Sequence, residues 1–562
     1  MYCLKVTADI YKEDNIITDN KMDRRKFLEV SGWSLVGLAA TGSLLESCSS
    51  VRDVKKIVPS ASDLKLYWGD LHNHCNITYG HGDMRDAFEA AKEQLDFVSV
   101  TPHAMWPDIN LLNREPRLKW VIGYHTDAFK RLRQGGYEKY SAMTKEYDNP
   151  GKFLTFIGYE AHSMVYGDHV ALHKSLDAPL VGCSSIENWK DKFKGQDVFV
   201  TPHHMGYQEG FRGYNWKYFT EGDQTPFVEM YSRHGLAEGD MGDYPYLHDM
   251  GPRNWEGSIL YGLKQGHKFG IMGSTDQHSG YPGSYGDGRV GVLAPNLSRD
   301  GIWDALRSRH TCCATGDKIV VDFRVNDGFM GDVVSGERRR IYVNVEAQSC
   351  IDYVDIIKNG RLIARMNGPM LPTFEPSGLI RCKIKMEYGW NREEKYVSWN
   401  GKVSIDKGRI LSVTPCFRGA AFTSPQEGET EFHTHVNRIR AVTDSSAELE
   451  LYTSKNPNTT TASTQAVILD VEIPLDGVIT SDFNGREFSH TLAELLEGGR
   501  SHFMRGWLSE AVLFNRAMPE SCWSIEHYME DDVRETDCDW YYVRVRQKDG
   551  QWLWSSPIWV RG

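Results

Sequence analysis

The chain lacks a surplus of positive charge, a disulfide framework and an internal repeat. Its 562 residues include 64 Lys and Arg against 76 Asp and Glu, which gives a formal net charge of −12. Without excess positive charge to neutralise phosphates, a nucleic-acid partner is not expected. The 11 cysteines are scattered singly apart from Cys312–Cys313, with no Cys-x-x-Cys spacing. We therefore predict buried, reduced thiols.

The chain also lacks an apolar run long enough to indicate a membrane span, although its beginning has the order of an export signal. The twin arginine Arg24–Arg25 precedes a short stretch rich in Gly and Ala, and residues 22–48 resemble a twin-arginine signal. Residues 45–48 resemble a lipoprotein cleavage box that would acylate Cys48; a cleaved, unlipidated signal or a hydrophobic anchor are the alternatives. We expect an exported bacterial protein, periplasmic or anchored to the outer membrane by lipid, with residues 1–21 lying upstream of the signal.

The rest of the chain divides by its patterns. Residues 49–62 form a polar linker, and residues 63–316 alternate short apolar strands with helical patterns, which predicts βα units in a parallel sheet or barrel. Residues 317–562 are strand-like with Asn-Gly and Asp-Gly turn signals, which predicts a β-sandwich-like domain. A long insertion at about 375–535 shows few clear patterns.

Histidine is concentrated where the predicted strands end. Of 20 histidines, 14 fall between His72 and His278. Strand alternation points residues i and i+2 to the same side, so His-x-His and Asp-x-His can share one ion. Imidazole and carboxylate without thiolate suit zinc, manganese or iron. The features at strand ends predict a multinuclear metal site: His72, His74, His103, Glu160, His162, His169, His173, His203, His204, Asp276 and His278.

Several phrases carry a family resemblance. "WGDLHNH", "LDFVSVTPH" and "GSTDQHSGYPG" together resemble the polymerase and histidinol phosphatase (PHP) superfamily of metallohydrolases. Their flanking text is closer still to an exported branch, the domain of unknown function 3604. The resemblance covers about residues 64–345 and the last twenty or so. It implies an α/β fold, a distorted seven-stranded β/α barrel of the PHP type, with two or three divalent ions.

The resemblance also implies a role for each matching residue. A first ion would be held by His72, His74, Glu160 and Asp276. Glu160 would bridge to a second ion, completed by His169 and His203, with His173 and His204 as their competitors. A third ion would be held by His81, His103 and His278.

Other residues have two interpretations each. Asp70 either orients a ligand imidazole or simply ends a strand. Arg233 and Arg289 either grip substrate oxygens or form salt bridges. Cys75, beside His74, is interpreted as a packed thiol because alternation points it away from the metal side.

These observations predict a metal-dependent hydrolase. The first hypothesis is a phosphoesterase that acts on a small-molecule or glycan-linked phosphate ester with a metal-bridging hydroxide. His103, His278 or His234 would protonate the leaving group. A carboxyl-ester, lactone or amide hydrolase of the same fold is the second hypothesis, and a non-catalytic glycan-binding surface lipoprotein is the third. Membrane contact is expected only through the lipid anchor.

Overall fold

Our computed structural model describes residues 64–562 except for 221, 223, 393–394, 422–423, 430, 432 and 457–461. The predicted signal, Cys48, the linker and residues 1–21 lie outside the described residues. Among the helices that are described, none has the length and apolar character that a membrane crossing requires.

The first 250 or so described residues alternate strands with helices. The strands are β1 (Lys65–Asp70), β2 (Phe97–Val98), β3 (His103–Met105), β4 (Leu154–Thr155), β5 (Ile157–Ala161), β6 (His169–His173), β7 (Val198–Pro202), β8 (Phe227–Ser232), β9 (Gly235–Leu236), β10 (Gly270–Gly273), β11 (Arg289–Ala294) and β12 (Thr311–Ala314). The α-helices are α1 (Met84–Lys92), α2 (Lys119–Arg131), α3 (Tyr137–Tyr147), α4 (Ile186–Phe193), α5 (Ile259–Lys264) and α6 (Arg299–Arg307).

Helix α1 shows how local sequence and packing agree. The side chain of Asp83 accepts a hydrogen bond from the backbone N–H of Arg85, and such a cap is worth about 1 kcal/mol. The apolar residues recur at helical spacing and are buried in one core: Met84, Ala87, Phe88 and Ala91. The helix therefore has a fixed start directly after the loop that carries His74 and His81.

The strands of this region form several sheets, and the protein is mixed α/β with strands predominating. Strands β1, β2 and β4 pair in parallel, as do β3 with β5 and β8 with β10. Four strands depart from the predicted parallel order, because β9 is antiparallel to β8 and β12 to β11, and β6 and β11 also run against their neighbours. Strand β6 is antiparallel to both β5 and β7, and β11 is antiparallel to β1.

The short connection between β5 and β6 explains why β6 is antiparallel to β5. Only residues 162–168 join the two strands, and a parallel pairing would need a crossover of about a dozen residues or more. The chain therefore reverses direction between the two strands. This antiparallel pairing determines which face of β6 lies toward the site.

In the remaining described residues, almost all regular elements are strands. They are β13 (Val320–Val325), β14 (Gly328–Phe329), β15 (Val333–Ser335), β16 (Arg339–Glu346), β17 (Ile351–Lys358), β18 (Arg361–Asn367), β19 (Ile380–Gly389), β20 (Tyr396–Ile405), β21 (Arg409–Cys416), β22 (Arg438–Val442), β23 (Ser446–Ser454), β24 (Gln465–Ile473), β25 (Val478–Phe483), β26 (Arg486–Thr491), β27 (Arg500–Phe503), β28 (Ala511–Phe514), β29 (Met518–Pro519), β30 (Ser524–Asp531), β31 (Cys538–Gln547), β32 (Trp552–Ser555) and β33 (Ile558–Arg561). The two helices here are α7 (Leu492–Glu497) and α8 (Glu520–Trp523).

The predicted insertion at 375–535 contains two packed sheets. One has the order β21-β24-β19-β28-β27 and the other β22-β23-β20-β25-β26. Their inner faces share one hydrophobic core that includes Trp399, Leu451 and Leu469. We call residues 380–517 the inserted sandwich. In β23 the buried residues alternate with more exposed ones, which is the pattern of a strand with one face in a core.

The end of the chain returns to the first region. Strand β32 pairs with β12, with Cys313 opposite Trp554, so one sheet runs from β4 through β1 and β11 to β31 and β33. The boundary predicted at 316/317 is therefore crossed by backbone hydrogen bonds.

Candidate metal centre

Strand ends bring the predicted ligands together. His72 and His74 follow β1, His103 begins β3, Glu160 lies in β5, His203 follows β7, and Asp276 and His278 follow β10. Each of these seven side chains is at most 5% exposed. These strands belong to three sheets whose strand ends converge, and residues up to 206 positions apart in sequence thereby become neighbours.

Glu160 lies at the middle of the group. Its Oε1 is 2.7 Å from His203 Nε2 and 3.2 Å from His162 Nδ1. Its Oε2 is 3.0 Å from His103 Nε2 and 3.6 Å from His74 Nε2. With His72 Nε2 at 3.9 Å from Oε2, one carboxylate faces five imidazoles, two on Oε1 and three on Oε2.

Asp276 lies at the centre of a second part of the group. Its Oδ1 is 3.0 Å from His74 Nε2 and 3.5 Å from His72 Nε2, and its Oδ2 is 3.3 Å from His234 Nε2. Asp276 has a φ of 47°, in the left-handed region that non-glycine residues rarely adopt. Strain of this kind clusters at functional sites.

The residues present fit a bound divalent cation. His72 Nε2 and His74 Nε2 face each other at 3.2 Å, close to the separation of about 3.3 Å between two ligand atoms on a tetrahedral ion with bonds of about 2.0 Å. Glu160 Oε2 and His162 Nε2 are buried and have no hydrogen-bond partner among the described residues. Buried polar atoms are normally paired, and a cation would supply the missing partner for the carboxylate oxygen.

Several overlapping triads meet the geometric requirement for shared ligands. In each triad one ligand atom per residue lies within 4.8 Å of the others. They include His72–His74–Asp276, His74–His103–His278, His103–His125–His162, His72–His203–Glu229 and Asp168–His203–His204. The overlap indicates a site that can hold divalent metal.

The protonation of the group follows from burial and charge. Burial lowers the pKa of His72, but Asp276 and Glu229 outweigh it and raise that pKa to about 10. Burial lowers the pKa of His74 to about 4 and holds the pKa of His103 well below its usual range. Burial also holds the pKa of Glu160 well above its usual range. The carboxylates of Asp276 and Glu229 thus favour positive charge beside His72, which a divalent cation would supply when bound.

Asp70 supports the site through the backbone. Its carboxylate accepts hydrogen bonds from the hydroxyl and the N–H of Thr275, at 2.5 and 3.1 Å, and from the N–H of Gly283 at 2.9 Å. It also accepts from the N–H of His72 at 3.2 Å. Of the two interpretations of Asp70, these bonds favour the one without an imidazole: Asp70 holds the loop that carries Asp276. Instead, Glu229 Oε2 accepts from His72 Nδ1 at 2.8 Å.

His169 and His173 do not reach the group. Ala161 pairs with His169 and Tyr159 with Ala171, so the odd-numbered residues of β6 lie on the face opposite Glu160. His169 Nδ1 bonds to the carbonyl of Gly167, and His173 Nε2 bonds to the hydroxyl of Tyr159. Both predictions are therefore corrected.

Asp168 takes the place that sequence reasoning gave to His169. Its Oδ2 is 3.0 Å from His162 Nδ1 and accepts from Arg212 Nε at 2.6 Å. Burial would raise the pKa of Asp168, but Arg212 and His162 lower it below its usual range. Asp168 thereby links His162 and Arg212 to the cluster of side chains around Glu160 and Asp276.

The other predicted residues lie as follows. His204 Nε2 is 3.8 Å from both Asp168 Oδ2 and Asp276 Oδ2. His81 Nε2 is 3.3 Å from Glu429 Oε2, in the inserted sandwich. Arg233 directly follows β8, and its Nη1 is 3.7 Å from Asp287 Oδ2.

Arg289 is not available to a substrate. It is fully buried and donates from Nη2 to the carbonyl of Gly283 and to Gln94 Oε1. Its prediction as a substrate-binding residue is corrected, because the guanidinium is used inside the fold. Cys75 is buried in the core beneath the loop, as a packed thiol.

Sequence reasoning assigned no role to three contributors, for different reasons. Glu229 lies near the end of β8, and its position near a strand end is a signal that could have identified it. His125 lies inside helix α2, and Arg212 lies in an irregular loop with a φ of 66°. Neither His125 nor Arg212 lies in a local sequence pattern that indicates a functional site. Only the fold of the chain places these two residues at the site.

Comparison with known proteins gives distant relatives. No family model matches the chain. An uncharacterized protein of Chlamydia muridarum is 28% identical over 169 residues, which is 27% of this chain and 26% of that protein. An uncharacterized protein of Chlamydia trachomatis is 27% identical over 184 residues, 30% of this chain and 28% of that protein. The chain thus spans about a quarter of the length of the curated relatives it matches.

One solved structure is similar at a low level. It is a two-domain protein from Bacteroides vulgatus that contains a predicted PHP-like metal-dependent phosphoesterase. The TM-score is 0.30 and the sequence identity 12%, over 58% of this chain and 83% of that chain. A likeness at this level does not determine the fold or the activity of this chain.

Proposed function

We propose that the protein is a metal-dependent hydrolase of phosphate esters. The observation that carries this proposal is the buried convergence of imidazoles on the two carboxylates of Glu160 and Asp276. Structural histidines are normally hydrogen-bonded singly, whereas here His72 and His74 face each other with their ring nitrogens 3.2 Å apart. A divalent cation among the ring nitrogens would bind both of them, whereas without a cation one ring must carry the proton that it donates to the other.

We assign the ligands by proximity. His72, His74 and Asp276 would hold one ion. Glu160 would bridge from this ion to further ions. The ligands of a further ion would be either His103, His162 and His203, or His103 and His278. Two or three divalent ions, zinc, manganese or iron, suit this donor set. When bound, such ions lower the pKa of a water and offset charge on phosphoryl oxygens.

Arg212 favours a phosphate over a neutral ester. Its guanidinium stacks over the ring of Trp106 and is bonded to Asp168, and its side chain is 24% exposed. A guanidinium held beside the ligand group attracts an anionic substrate and can bind two oxygens at once. Arg233 lies close to His234 in sequence and is the second residue that we assign to substrate binding.

His234 is the best-placed group to protonate the leaving oxygen. Its Nδ1 is 3.2 Å from Asp249 Oδ1, and its Nε2 is 3.3 Å from Asp276 Oδ2. Asp249 can hold the ring in one tautomer, as an orienting carboxylate does for a general acid. His103 and His278, the other predicted acids, belong to ligand triads and are less suited to carry a proton.

The wider setting rests on sequence motifs alone. We propose membership of the PHP superfamily and of its exported branch, domain of unknown function 3604, and we propose export by the twin-arginine route with Cys48 lipidated. The partner would be a small-molecule or glycan-linked phosphate ester.

The test combines metal analysis with a substrate panel. Purified protein and a His72→Ala/His74→Ala double variant would be compared for bound metal and for hydrolysis of phosphomonoesters, phosphodiesters and carboxyl esters. We expect the wild type to contain bound metal and to release phosphate, and the double variant to do neither. Circular dichroism would check that the variant is folded.

Each other outcome has a clear meaning. Phosphate release that persists in the folded double variant would place the activity elsewhere. Turnover of carboxyl esters alone would support the hypothesis of a carboxyl-ester, lactone or amide hydrolase. Glycan binding without bound metal or turnover would support the non-catalytic hypothesis.

A further inference from the structure

Three histidines from separate elements form a group of their own beside Glu160. His103 begins β3, His125 lies inside helix α2, and His162 directly follows β5. One ring nitrogen of each lies within 4.8 Å of one in each of the other two. The rings of His103 and His162 are stacked with centroids 4.8 Å apart, and the His125 ring stands edge-on to them at 5.7 and 5.3 Å. We call these residues the three-imidazole group.

His125 has one ring nitrogen in use and the other available. Its Nδ1 is 2.9 Å from the carbonyl oxygen of Val121, one helical turn earlier. Because a carbonyl oxygen only accepts, Nδ1 carries the hydrogen and the lone pair of the neutral ring is on Nε2. Burial holds the pKa of His125 well below its usual range, so the ring is neutral. A neutral imidazole is the form that binds a metal ion.

His162 offers a second available nitrogen. Its Nδ1 is 3.0 Å from Asp168 Oδ2 and 3.2 Å from Glu160 Oε1, and two carboxylates on that side favour a hydrogen on Nδ1. The lone pair is then on Nε2, which is buried and has no hydrogen-bond partner among the described residues. Arg212 Nη2 also lies 2.9 Å from Nδ1, but its charge is offset by its salt bridge to Asp168.

His103 connects this pair to the bridging carboxylate. Its Nε2 is 3.0 Å from Glu160 Oε2, an oxygen that is buried and unpaired within the described part of the chain. This distance is close to the separation of about 3.3 Å between two ligand atoms on one tetrahedral ion. The same oxygen is 3.6 Å from His74 Nε2. An ion at the three-imidazole group would therefore share a carboxylate with a ligand of the first ion.

Aromatic rings enclose the group. The Tyr79 ring stacks on the His125 ring, with centroids 4.4 Å apart and an angle of 26° between the planes. The Trp106 ring lies 5.2 Å from that of His125 and 4.7 Å from that of His162. Apolar walls of this kind limit access of water to a metal site and lower the local dielectric, which strengthens the attraction between a cation and its ligands.

We propose that His125 is a ligand of the metal centre and holds a divalent cation together with His103 and His162. Three imidazoles are a ligand set of zinc sites, and imidazole suits zinc well. The ion would be a further ion of the proposed function, on which this inference rests because both require bound divalent ions. The assignment differs from those above because one ligand comes from a helix and not from a strand end.

The experiment compares His125→Phe and His125→Ala with His173→Phe. Phenylalanine keeps a ring between Tyr79 and Trp106 but removes both nitrogens, and His173 is a buried histidine of β6 that lies outside the ligand group. Metal-free protein would be titrated with Zn²⁺ by calorimetry, and bound zinc would be counted by mass spectrometry. We expect both His125 variants to lose one Zn²⁺, or to bind it more than about 100-fold more weakly, which exceeds the loss of a residue that only supports a ligand. His173→Phe should match the wild type.

The possible results separate this inference from the proposed function. If the wild type binds Zn²⁺ and hydrolyses a phosphate ester but both His125 variants bind as many ions as tightly, His125 is not a ligand and the proposed function stands. If His173→Phe loses the same ion, the loss reflects packing and the inference is wrong. If the wild type binds no ion, the inference and the proposed function are both wrong. Thermal unfolding shows whether each variant is folded, and His125→Ala serves if the larger ring of His125→Phe is not accommodated.

Discussion

Replacing Glu160 by Gln should shift the stability of the metal-free and the metal-loaded protein in opposite directions. Glu160 is 1% exposed, and burial holds its pKa well above the usual range because the charged form loses its hydration. Glutamine keeps the shape and removes the charge. We therefore expect the metal-free variant to be more stable than the metal-free wild type, by about 1–3 kcal/mol.

The metal-loaded comparison has the opposite sign. An ion at 100 times its Kd stabilises the folded wild type by about 2.7 kcal/mol. If roughly 500 residues unfold together, the unfolding entropy is about 1 kcal/mol/K, so this gain raises Tm by about 2.5 °C. Loss of the bridging charge that weakens binding about 100-fold would leave a gain of about 0.4 kcal/mol at the same ion concentration, or less than about 0.5 °C.

The assay is thermal unfolding with a chelator and then at a fixed free concentration of Mn²⁺ or Zn²⁺. Glu138→Gln, an exposed change on helix α3, is the matched control and should behave as the wild type does. If the ion raises the Tm of Glu160→Gln as much as that of the wild type, Glu160 is not a ligand. If the metal-free variant is instead less stable, the buried charge is compensated by its imidazole neighbours.

Three further perturbations separate catalysis from folding. His234→Ala should lower kcat by about 10²-fold or more while metal content stays that of the wild type, because a general acid is lost and no assigned ligand is; unchanged kcat would exclude His234. Arg289→Met should lower the free energy of unfolding by about 2 kcal/mol in urea, because it leaves buried acceptors unpaired, while kcat/KM of the folded protein stays the same. The Arg212–Asp168 pair holds the pKa of Asp168 below its usual range. The stabilisation that this pair gives the fold is therefore present above about pH 4 and is lost as pH falls through the lower folded-state pKa. In urea unfolding, Asp168→Asn should be less stable than the wild type at pH 7, and the difference should shrink at lower pH.

The features that sequence could predict are local ones. His72 and His74 are two residues apart at a strand end, and alternation alone places both rings on one side, where they lie 3.2 Å apart. Buried capped helices such as α1 are likewise predictable, because cap and apolar spacing lie within a few residues of each other. The concentration of histidines at strand ends indicated the site before any strand pairing was known.

The features that sequence could not predict depend on pairing. Every residue of β6 is buried, so its sequence does not show which face meets Glu160, and His169 was assigned to the wrong one. Asp168, one residue earlier, reaches the group instead. The inserted sandwich could not be recognised from sequence because strands at the centre of its sheets pair over long separations: β19 pairs with β24 and β28, so Ile380 lies opposite Ile473.

The repeated phrase Thr-Pro-His shows how the fold turns a local motif into a site. Residues 101–103 and 201–203 both place a histidine at a strand boundary, and Pro102 and Pro202 remove a backbone donor just before it. The two histidines meet the same carboxylate from opposite sides: His103 Nε2 is 3.0 Å from Glu160 Oε2, and His203 Nε2 is 2.7 Å from Glu160 Oε1. A carboxylate shared in this way is what a bridge between two ions requires. The repetition therefore has a geometric reason, since β3 and β7, the two outer strands of the sheet that contains β5, each have a boundary where one oxygen of Glu160 lies.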